Sequence, residues 1–139
     1  MARWLGDRAL LVGQSGKTVA DRRRTAIDTV FESNYDSALI LDTQCPALTE
    51  RHLSRALESL ASNDIVVGPT ADWGCYLVGL KQPFPDGFAD IAWAGNNLPE
   101  EIDKAGREHG LKIANLEMLL DCDTADGLVY NWAMGHVQA

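Results

Sequence analysis

Short apolar runs alternate along this chain with stretches in which apolar residues recur every three or four positions. The runs are typical of strands buried on both faces, and the recurring pattern is typical of helices with one apolar side. The pattern predicts strands at 9–13, 37–42, 64–69, 75–80 and 111–117. It predicts helices at 18–33, 50–62, 98–109 and 125–137, and it allows a short helix around 86–91.

The order of these elements favours an α/β fold, a three-layer α/β/α structure with a mostly parallel sheet. One pair of strands breaks the parallel pattern. Only about five residues separate 64–69 from 75–80, too few for a parallel crossover. That pair is therefore expected to be antiparallel or non-adjacent, which makes the sheet mixed. The length of 139 residues indicates a single domain over 1–139.

The charge balance excludes some partners. The formal net charge of −8 argues against a protein that binds nucleic-acid backbones, and against docking on an anionic membrane. It is compatible with a metal-assisted site, since carboxylates attract Mg²⁺ or Mn²⁺.

The three cysteines, Cys45, Cys75 and Cys122, form no C-x-x-C pair and indicate reduced thiols. With no signal-peptide pattern at the amino terminus, a cytoplasmic location is expected.

One motif suggests phosphate binding but has the wrong spacing. The segment LLVGQSGKT (10–18) resembles part of a phosphate-binding P-loop, and ALILD (38–42) resembles the strand that would hold its Mg²⁺. The P-loop requires glycine five positions before Gly16, where this chain has Leu11. A strand followed by a glycine and serine turn and a helix start at Thr18 is the better interpretation.

Three polar clusters follow predicted strands, where ligands bind in doubly wound sheets. They are DTQCP (42–46), TADWG (70–74) and DCDT (121–124). Each also has a purely structural explanation. Asp42 could end its strand by bonding the next turn, Asp72 could be an ordinary loop residue, and Asp123 or Thr124 could cap the last helix. Their joint order along the chain is more informative than any one of them.

That order resembles a bacterial family with the nucleotide-diphospho-sugar transferase (GT-A type) fold. Its motifs match here as Gln14, Asp21-Arg22, DTQCPALT (42–49), GP (68–69), DWGCYLVGL (72–80), Trp93-Ala94 and DCDTADGL (121–128). The similarity spans roughly residues 14–130. It implies that this chain has the family's fold without its first nucleotide-binding βαβ unit, which would lie ahead of the matched region.

The resemblance also implies a set of site residues. Catalytic carboxylates are expected at Asp72 and Asp123. Ligand-binding positions are expected at Arg22, Asp42, Gln44, Trp73, Gly74, Tyr76, Trp93 and Thr124. Asp42 is also the position expected to contact a divalent metal, Mg²⁺ or Mn²⁺, and the ligand would be a nucleotide sugar or another small molecule.

Several positions depart from the family pattern. Gln44 stands where the family has the Asp of its Thr-Asp-Cys-Pro turn, so a charge that would attract the metal is missing. Trp73 replaces a glycine, and its indole would fill space that a ligand could use. Cys75 replaces a tyrosine, and Gly127 replaces the last aspartate.

Two functions follow from these observations. The first is a non-catalytic domain that binds a small ligand or serves as an assembly module. In that case a bare sheet edge and a bare helix-packing face favour a homodimer, with Trp73, Trp93 or Trp132 at the contact. The alternative is a metal-dependent glycosyl- or nucleotidyltransferase in which Asp72 or Asp123 orients or deprotonates the acceptor.

Overall fold

Four helices and four strands lie within the residues that the computed structural model describes, which are 9–10, 12–84, 91–93 and 97–137. In chain order they are α1 (Val19–Glu32), β1 (Ala38–Leu41), α2 (Glu50–Leu60), β2 (Ile65–Pro69), β3 (Cys75–Leu80), α3 (Leu98–Glu108), β4 (Ile113–Asn115) and α4 (Ala125–Ala133). Each lies within a segment that the sequence pattern predicts. The short helix allowed around 86–91 falls, except for Ile91, outside the described residues.

The strand predicted at 9–13 is wrong for its described residues. Leu10 and Val12 are 89% and 67% exposed, and neither belongs to a strand. An apolar run becomes a buried strand only where a neighbouring strand supplies hydrogen bonds and cover. Here residues 12–15 lie beside α1 and line a groove with it. The turn then passes through Gly16 at a φ of 133° before α1 begins.

The strands form one mixed sheet in the order β1-β3-β2-β4. β3 pairs antiparallel with both β1 and β2, while β4 pairs parallel with β2. Strands β1, β2 and β4 therefore run in one direction and β3 runs against them. This confirms the expected α/β fold with a mixed sheet, and it resolves the 64–69 and 75–80 pair as adjacent and antiparallel.

Alternating side chains of the central strands divide the core between the two faces of the sheet. Ile65 and Val67 of β2 pack with apolar residues of α1 and α3, among them Ile27 and Ile102. Val66 packs on the opposite face with Ala56 and other residues of α2. The helices α1 and α3 thus form one outer layer and α2 forms the other, with the sheet between them.

Side chains at the amino ends of the helices fix where the helices start. Thr18 and Asp21 form a reciprocal capping box at α1, with the Thr18 hydroxyl accepting from the Asp21 N–H at 3.0 Å and Asp21 accepting from the Thr18 N–H at 2.9 Å. Thr124 caps α4 by accepting from the Gly127 N–H at 3.1 Å. The capping role considered for Thr124 is therefore observed.

Helix α4 packs against the rest of the domain through a glycine and an asparagine, where a helix normally buries large apolar side chains. Its buried residues are Gly127 and Asn131, one turn apart. A Cβ atom on Gly127 would collide with the carbonyl oxygen of Asp121, so glycine permits the close approach. The Asn131 amide donates to the carbonyls of Leu120, Asp121 and Gly127 at 3.1, 3.0 and 2.9 Å.

Within the described part of the chain, no helix is both long enough and apolar enough to cross a membrane.

Candidate functional site

Main-chain hydrogen bonds bring the three polar clusters together at one edge of the sheet. The Leu119 N–H donates to the carbonyl of Pro69 at 3.1 Å, and the Ala71 N–H donates to the carbonyl of Leu119 at 3.1 Å. These bonds continue the parallel pairing of β2 and β4 beyond the strands. The Cys122 N–H donates to the carbonyl of Gln44 at 2.9 Å. The loops that follow β1, β2 and β4 therefore meet, as expected from their common direction.

Three carboxyl groups converge where these loops meet. One oxygen from each of Asp72, Asp121 and Asp123 can be chosen so that all three lie within 4.8 Å of one another. Asp121 is 8% exposed, while the other two are exposed to solvent. Carboxylates at this spacing repel each other strongly unless a proton or a cation lies between them.

The Asp72 carboxylate is held in place by its own loop. Its Oδ1 atom accepts from the Thr70 hydroxyl at 2.5 Å and from the Gly74 N–H at 3.2 Å. Burial raises the pKa of Asp72, but the hydrogen bonds from Thr70, Gly74 and the Asp121 carboxyl group outweigh burial and lower the pKa below its usual value. Asp72 is therefore ionised at neutral pH.

Asp121 has the opposite electrostatic character. Burial of its carboxyl group raises the pKa to about 7, with further contributions from hydrogen bonds to Asp123 and Asp72 and from their charges. One proton is thus shared within the cluster up to near-neutral pH. The pairing of one carboxyl group with a lowered pKa and one with a raised pKa is typical of sites that bind cations or handle protons.

The carboxyl groups line a small cavity of about 60 Å³. Its walls are formed by Asp42, Gln44, Cys45, Thr70, Asp72, Gly74, Cys75, Asp121 and Asp123. Pockets for small organic ligands usually measure about 300–1,000 Å³. The cavity has room for an ion and a few water molecules, and a larger ligand would have to lie across its opening.

Five of the positions chosen from the sequence line this cavity. They are Asp42, Gln44, Asp72, Gly74 and Asp123. The Asp42 carboxylate accepts from the Gln44 N–H at 3.0 Å, which is the turn-closing role considered for it. Asp42 lies at the wall but is not one of the three residues whose carboxyl oxygens converge.

The remaining positions have other surroundings. Tyr76 is fully buried, and its hydroxyl donates to the carbonyl of Glu117 at 3.0 Å. Trp93 is buried against Phe84, and Arg23 stacks over its ring at 5.2 Å. Arg22 lines the separate groove between α1 and residues 10 and 12–15. The structure therefore does not bring Tyr76, Trp93 or Arg22 to the carboxylate cavity.

Trp73 lies between two cavity residues, with an exposed side chain and a strained backbone. Its φ is 71°, in the left-handed region that glycine favours, and its side chain is 62% exposed. Its N–H donates to the carbonyl of Thr70 at 3.2 Å, and its carbonyl accepts from the N–H of Leu98 at the start of α3. The loop is therefore fixed at both sides of the indole.

Sequence reasoning missed Asp121 and Thr70 as site residues. Both lie inside clusters that the sequence singles out, but neither matches a position to which the resemblance gives a role. The available signal was the D-x-D pattern of Asp121 and Asp123, whose alternation can direct two carboxyl groups into one loop. Their approach to Asp72 depends on the pairing of β2 with β4, which the sequence pattern does not give.

The donor set fits a divalent cation of the hard, oxygen-preferring kind. Carboxylate oxygens are the usual protein ligands of Mg²⁺ and Mn²⁺, and Asp72, Asp121 and Asp123 offer three of them. The shared proton on Asp121 supports the same conclusion, because it marks a concentration of negative charge that a cation would neutralise.

The fold places this chain among the nucleotide-diphospho-sugar transferase-like proteins. A crystal structure from Desulfovibrio desulfuricans G20, of a protein provisionally assigned as a nucleotide-diphospho-sugar transferase, superposes with a TM-score of 0.87 and 25% identity. The match covers 96% of this chain but only 59% of the other protein. More specifically, the chain belongs to the family described as uncharacterized proteins conserved in bacteria (DUF2064), which matches residues 1–95. No curated protein matches it.

Proposed function

We propose that this chain is a cation-dependent binding domain. Asp72, Asp121 and Asp123 hold Mg²⁺ or Mn²⁺, and the bound ion presents a binding surface to a phosphorylated small molecule of the nucleoside-diphosphate-sugar type. The observation that carries the proposal is the convergence of three carboxyl oxygens within 4.8 Å in a cavity of about 60 Å³. When bound, the cation offsets the negative charge of a diphosphate group.

The protein's own residues prepare this site. Thr70 and the Gly74 N–H hold the Asp72 carboxylate ionised and oriented. Asp121, tied to α4 through its carbonyl, loses its proton when the cation arrives, so binding releases protons near neutral pH. The size of the cavity supports an ion-first order, since a sugar nucleotide cannot enter a space of this volume.

Binding without group transfer is favoured by the character of Asp72. A general base works best when its pKa lies near the working pH, and the pKa of Asp72 is lowered. Gln44 also stands at the cavity wall without the charge that the family pattern has there. The lowered pKa of Asp72 weakens proton abstraction, and Gln44 adds no further charge to the three carboxyl groups proposed to hold the ion.

A transferase is the second candidate, and two observations favour it. Asp121 keeps its proton to about pH 7, which suits a residue that gives or takes a proton during transfer. The similar protein from Desulfovibrio desulfuricans G20 is itself provisionally assigned as a transferase. In this candidate, Asp121 serves as the acid or base, and Asp72 and Asp123 remain cation ligands.

Calorimetric titration with MnCl₂ and MgCl₂ tests the binding function. The wild type is expected to bind one ion per chain, and Asp123→Asn is expected to weaken binding strongly because it removes one charged ligand. Asp36→Asn removes the same charge from an exposed residue before β1 and should leave binding unchanged. Equal loss in both variants would mean that only net charge matters, and the site would be rejected.

Thermal unfolding with UDP-, GDP- and CDP-sugars then separates the two candidates. A donor that binds through the ion should stabilise the chain only when Mn²⁺ is present, by about 2.7 kcal/mol at 100 times its Kd. If the same mixture also hydrolyses the donor, and Asp72→Ala abolishes the hydrolysis, the binding-only proposal is wrong and the transferase is correct.

A further inference from the structure

Trp73 stands beside the carboxylate cavity without closing it. The residues before and after it, Asp72 and Gly74, both line the cavity, whereas Trp73 is not among the described residues that form its walls. Consecutive Cα atoms lie only about 3.8 Å apart, so the indole is attached close to the cavity wall. Because 62% of the side chain is exposed, the indole leaves the cavity open and presents an aromatic surface to solvent.

The backbone of Trp73 is held in a conformation that bulky residues rarely adopt. Its φ of 71° lies in the left-handed region, where a bulky side chain is a genuine outlier. Strain of this kind persists only where the surroundings enforce it, and it is concentrated at binding and catalytic sites. The exposed indole packs little against the domain, so packing does not explain why tryptophan occupies this position. A role in binding is therefore the explanation to test.

Two hydrogen bonds fix the main chain on both sides of the indole. The Trp73 N–H donates to the Thr70 carbonyl at 3.2 Å, and the Trp73 carbonyl accepts from the Leu98 N–H at 3.0 Å. Leu98 is buried at the start of α3, so the loop is tied to a helix. A ligand that contacts the indole therefore meets a main chain that is already ordered, which limits the conformational freedom lost on binding.

We propose that the Trp73 indole stacks on the base of a nucleoside diphosphate whose phosphate groups contact the ion held in the cavity. The inference rests on the proposed cation-dependent function and names the part of the ligand that lies outside the cavity. A space of about 60 Å³ is too small for a nucleotide, so the ligand must lie across the opening. Asp72 is a proposed ligand of the ion and Trp73 is the next residue, so a nucleotide held by the ion lies within reach of the indole.

A flat, neutral ring suits this position. Four aspartates line the cavity, so a further anionic group beside it would be repelled. Nucleobases carry no charge at neutral pH, and every base has a π-face that can stack on an aromatic side chain. Such stacking typically raises affinity about fivefold to hundredfold. Because the π-face is common to all bases, purine and pyrimidine nucleotides should gain similarly from the indole.

Calorimetric titration of the wild type and Trp73→Gly with GDP, UDP and inorganic pyrophosphate, all in MnCl₂, tests the inference. Glycine adopts a φ of 71° without strain, so the substitution removes the indole and leaves the conformation of the Asp72 loop unchanged. The wild type is expected to bind GDP and UDP about tenfold more tightly than pyrophosphate. This advantage should disappear in Trp73→Gly, and most of it should remain in Trp73→Phe, which keeps an aromatic ring.

Trp132→Ala is the matched control. Trp132 is also 62% exposed, but it belongs to α4 and does not line the cavity. This variant is expected to keep the tenfold advantage of GDP over pyrophosphate. Ribose 5-phosphate is the matched ligand, because it carries a sugar and a phosphate group but no base. Its affinity for the wild type and for Trp73→Gly should be the same.

The outcomes separate this inference from the proposed function. Equal affinity of the wild type for GDP and pyrophosphate overturns the inference, and so does an advantage that survives in Trp73→Gly or disappears in Trp132→Ala. A loss of ribose 5-phosphate affinity in Trp73→Gly would assign the indole to a sugar ring, which also overturns it. In each of these cases the chain still binds Mn²⁺, and the proposed cation site stands. A wild type that binds no Mn²⁺ overturns the proposed function and this inference with it.

Discussion

The side-chain amide of Asn131 donates a hydrogen bond of 3.0 Å to the main-chain carbonyl of Asp121. Asn131 is completely buried, and two further bonds from the same nitrogen reach the carbonyls of Leu120 and Gly127. One asparagine therefore connects α4 to the turn that positions the least exposed carboxyl group of the site. The conformation of that turn depends on a residue that does not itself line the carboxylate cavity.

Replacement of Asn131 by alanine should affect both stability and ion binding. The change removes the side-chain donor to the buried carbonyl of Asp121, which should lower the free energy of unfolding by about 2–3 kcal/mol. Affinity for Mn²⁺ should also fall, because the turn that carries Asp121 loses its anchor. Urea denaturation and calorimetry measure the two effects. Asn63→Ala removes a partly buried amide that bonds within the end of α2, and it should cost about 1 kcal/mol with no change in ion affinity.

Asp121→Asn should have opposite effects with and without a divalent ion. At pH 8, without an ion, the substitution removes one of three clustered negative charges, so the variant should be more stable than the wild type. With Mn²⁺ at 100 times its Kd, the wild type should gain about 2.7 kcal/mol and the variant much less. Thermal unfolding in EDTA measures the stability difference without an ion, and thermal unfolding in MnCl₂ measures the gain from the ion. A variant that is less stable under both conditions would contradict the repulsion on which this prediction rests.

The stability of the ion-free protein should depend on pH through Asp121. Its folded pKa of about 7 lies above the ordinary value of 3.8, so between these values the folded chain keeps a proton that the unfolded chain has released. The free energy of unfolding should therefore fall as pH rises from about 4 to about 7. Subtracting the profile of Asp121→Asn isolates this contribution. With Mn²⁺ present the slope should reverse, since the ion binds deprotonated carboxylates.

Gly74→Ala should disturb Asp72. A Cβ atom at this position would lie 2.9 Å from the Thr70 hydroxyl and 3.2 Å from Asp72 Oδ1, so both groups must move. Loss of such a supporting contact typically reduces metal affinity about tenfold or more. Gly13→Ala is the control, because nothing lies within 4 Å of its added Cβ. Calorimetric titration with Mn²⁺ compares the two variants, and equal affinities would show that the Asp72 loop tolerates displacement.

Trp73→Gly should stabilise the fold. The φ of 71° costs a non-glycine residue about 1 kcal/mol, and the exposed indole contributes little packing that would be lost. The expected gain of about 1 kcal/mol can be read from urea denaturation. Asn34→Gly relieves a similar φ of 60°, but asparagine tolerates that region, so the gain there should be much smaller. A loss of stability in Trp73→Gly would show that the indole makes stabilising contacts.

The elements that the sequence predicts best are those whose pattern reflects their own packing. Residues of β2 alternate between two apolar cores, so a continuous apolar run correctly indicates a strand covered on both faces. Leu10 and Val12 carry the same pattern without a partner strand among the described residues, and the prediction for the described part of 9–13 is wrong for that reason. Composition gives the tendency to be buried, but neighbouring elements decide whether burial occurs.

The candidate site was likewise predicted from the sequence only in part. Asp72 and Asp123 are predicted from their place in recognisable motifs, and both line the carboxylate cavity. Asp121 is missed because its importance comes from burial and from two charged neighbours, and one of these, Asp72, belongs to a different loop. Tyr76 is chosen for its motif position, yet β3 directs its ring inward over Gly68. Motifs identify the loops, and the sheet decides which side chains meet.

The positions of the three carboxylates along the chain have a consequence for how the protein unfolds. Asp72 and Asp121 stand about fifty residues apart, and β3, α3 and β4 lie between them. An ion held jointly by both would act as a removable cross-link that closes this loop. For a loop of that length, a permanent cross-link lowers the entropy of the unfolded chain by an equivalent of about 4 kcal/mol. Removal of the ion by a chelator would then open this loop in the unfolded chain, as reduction opens a loop closed by a disulfide. The described cysteines of this protein are all free.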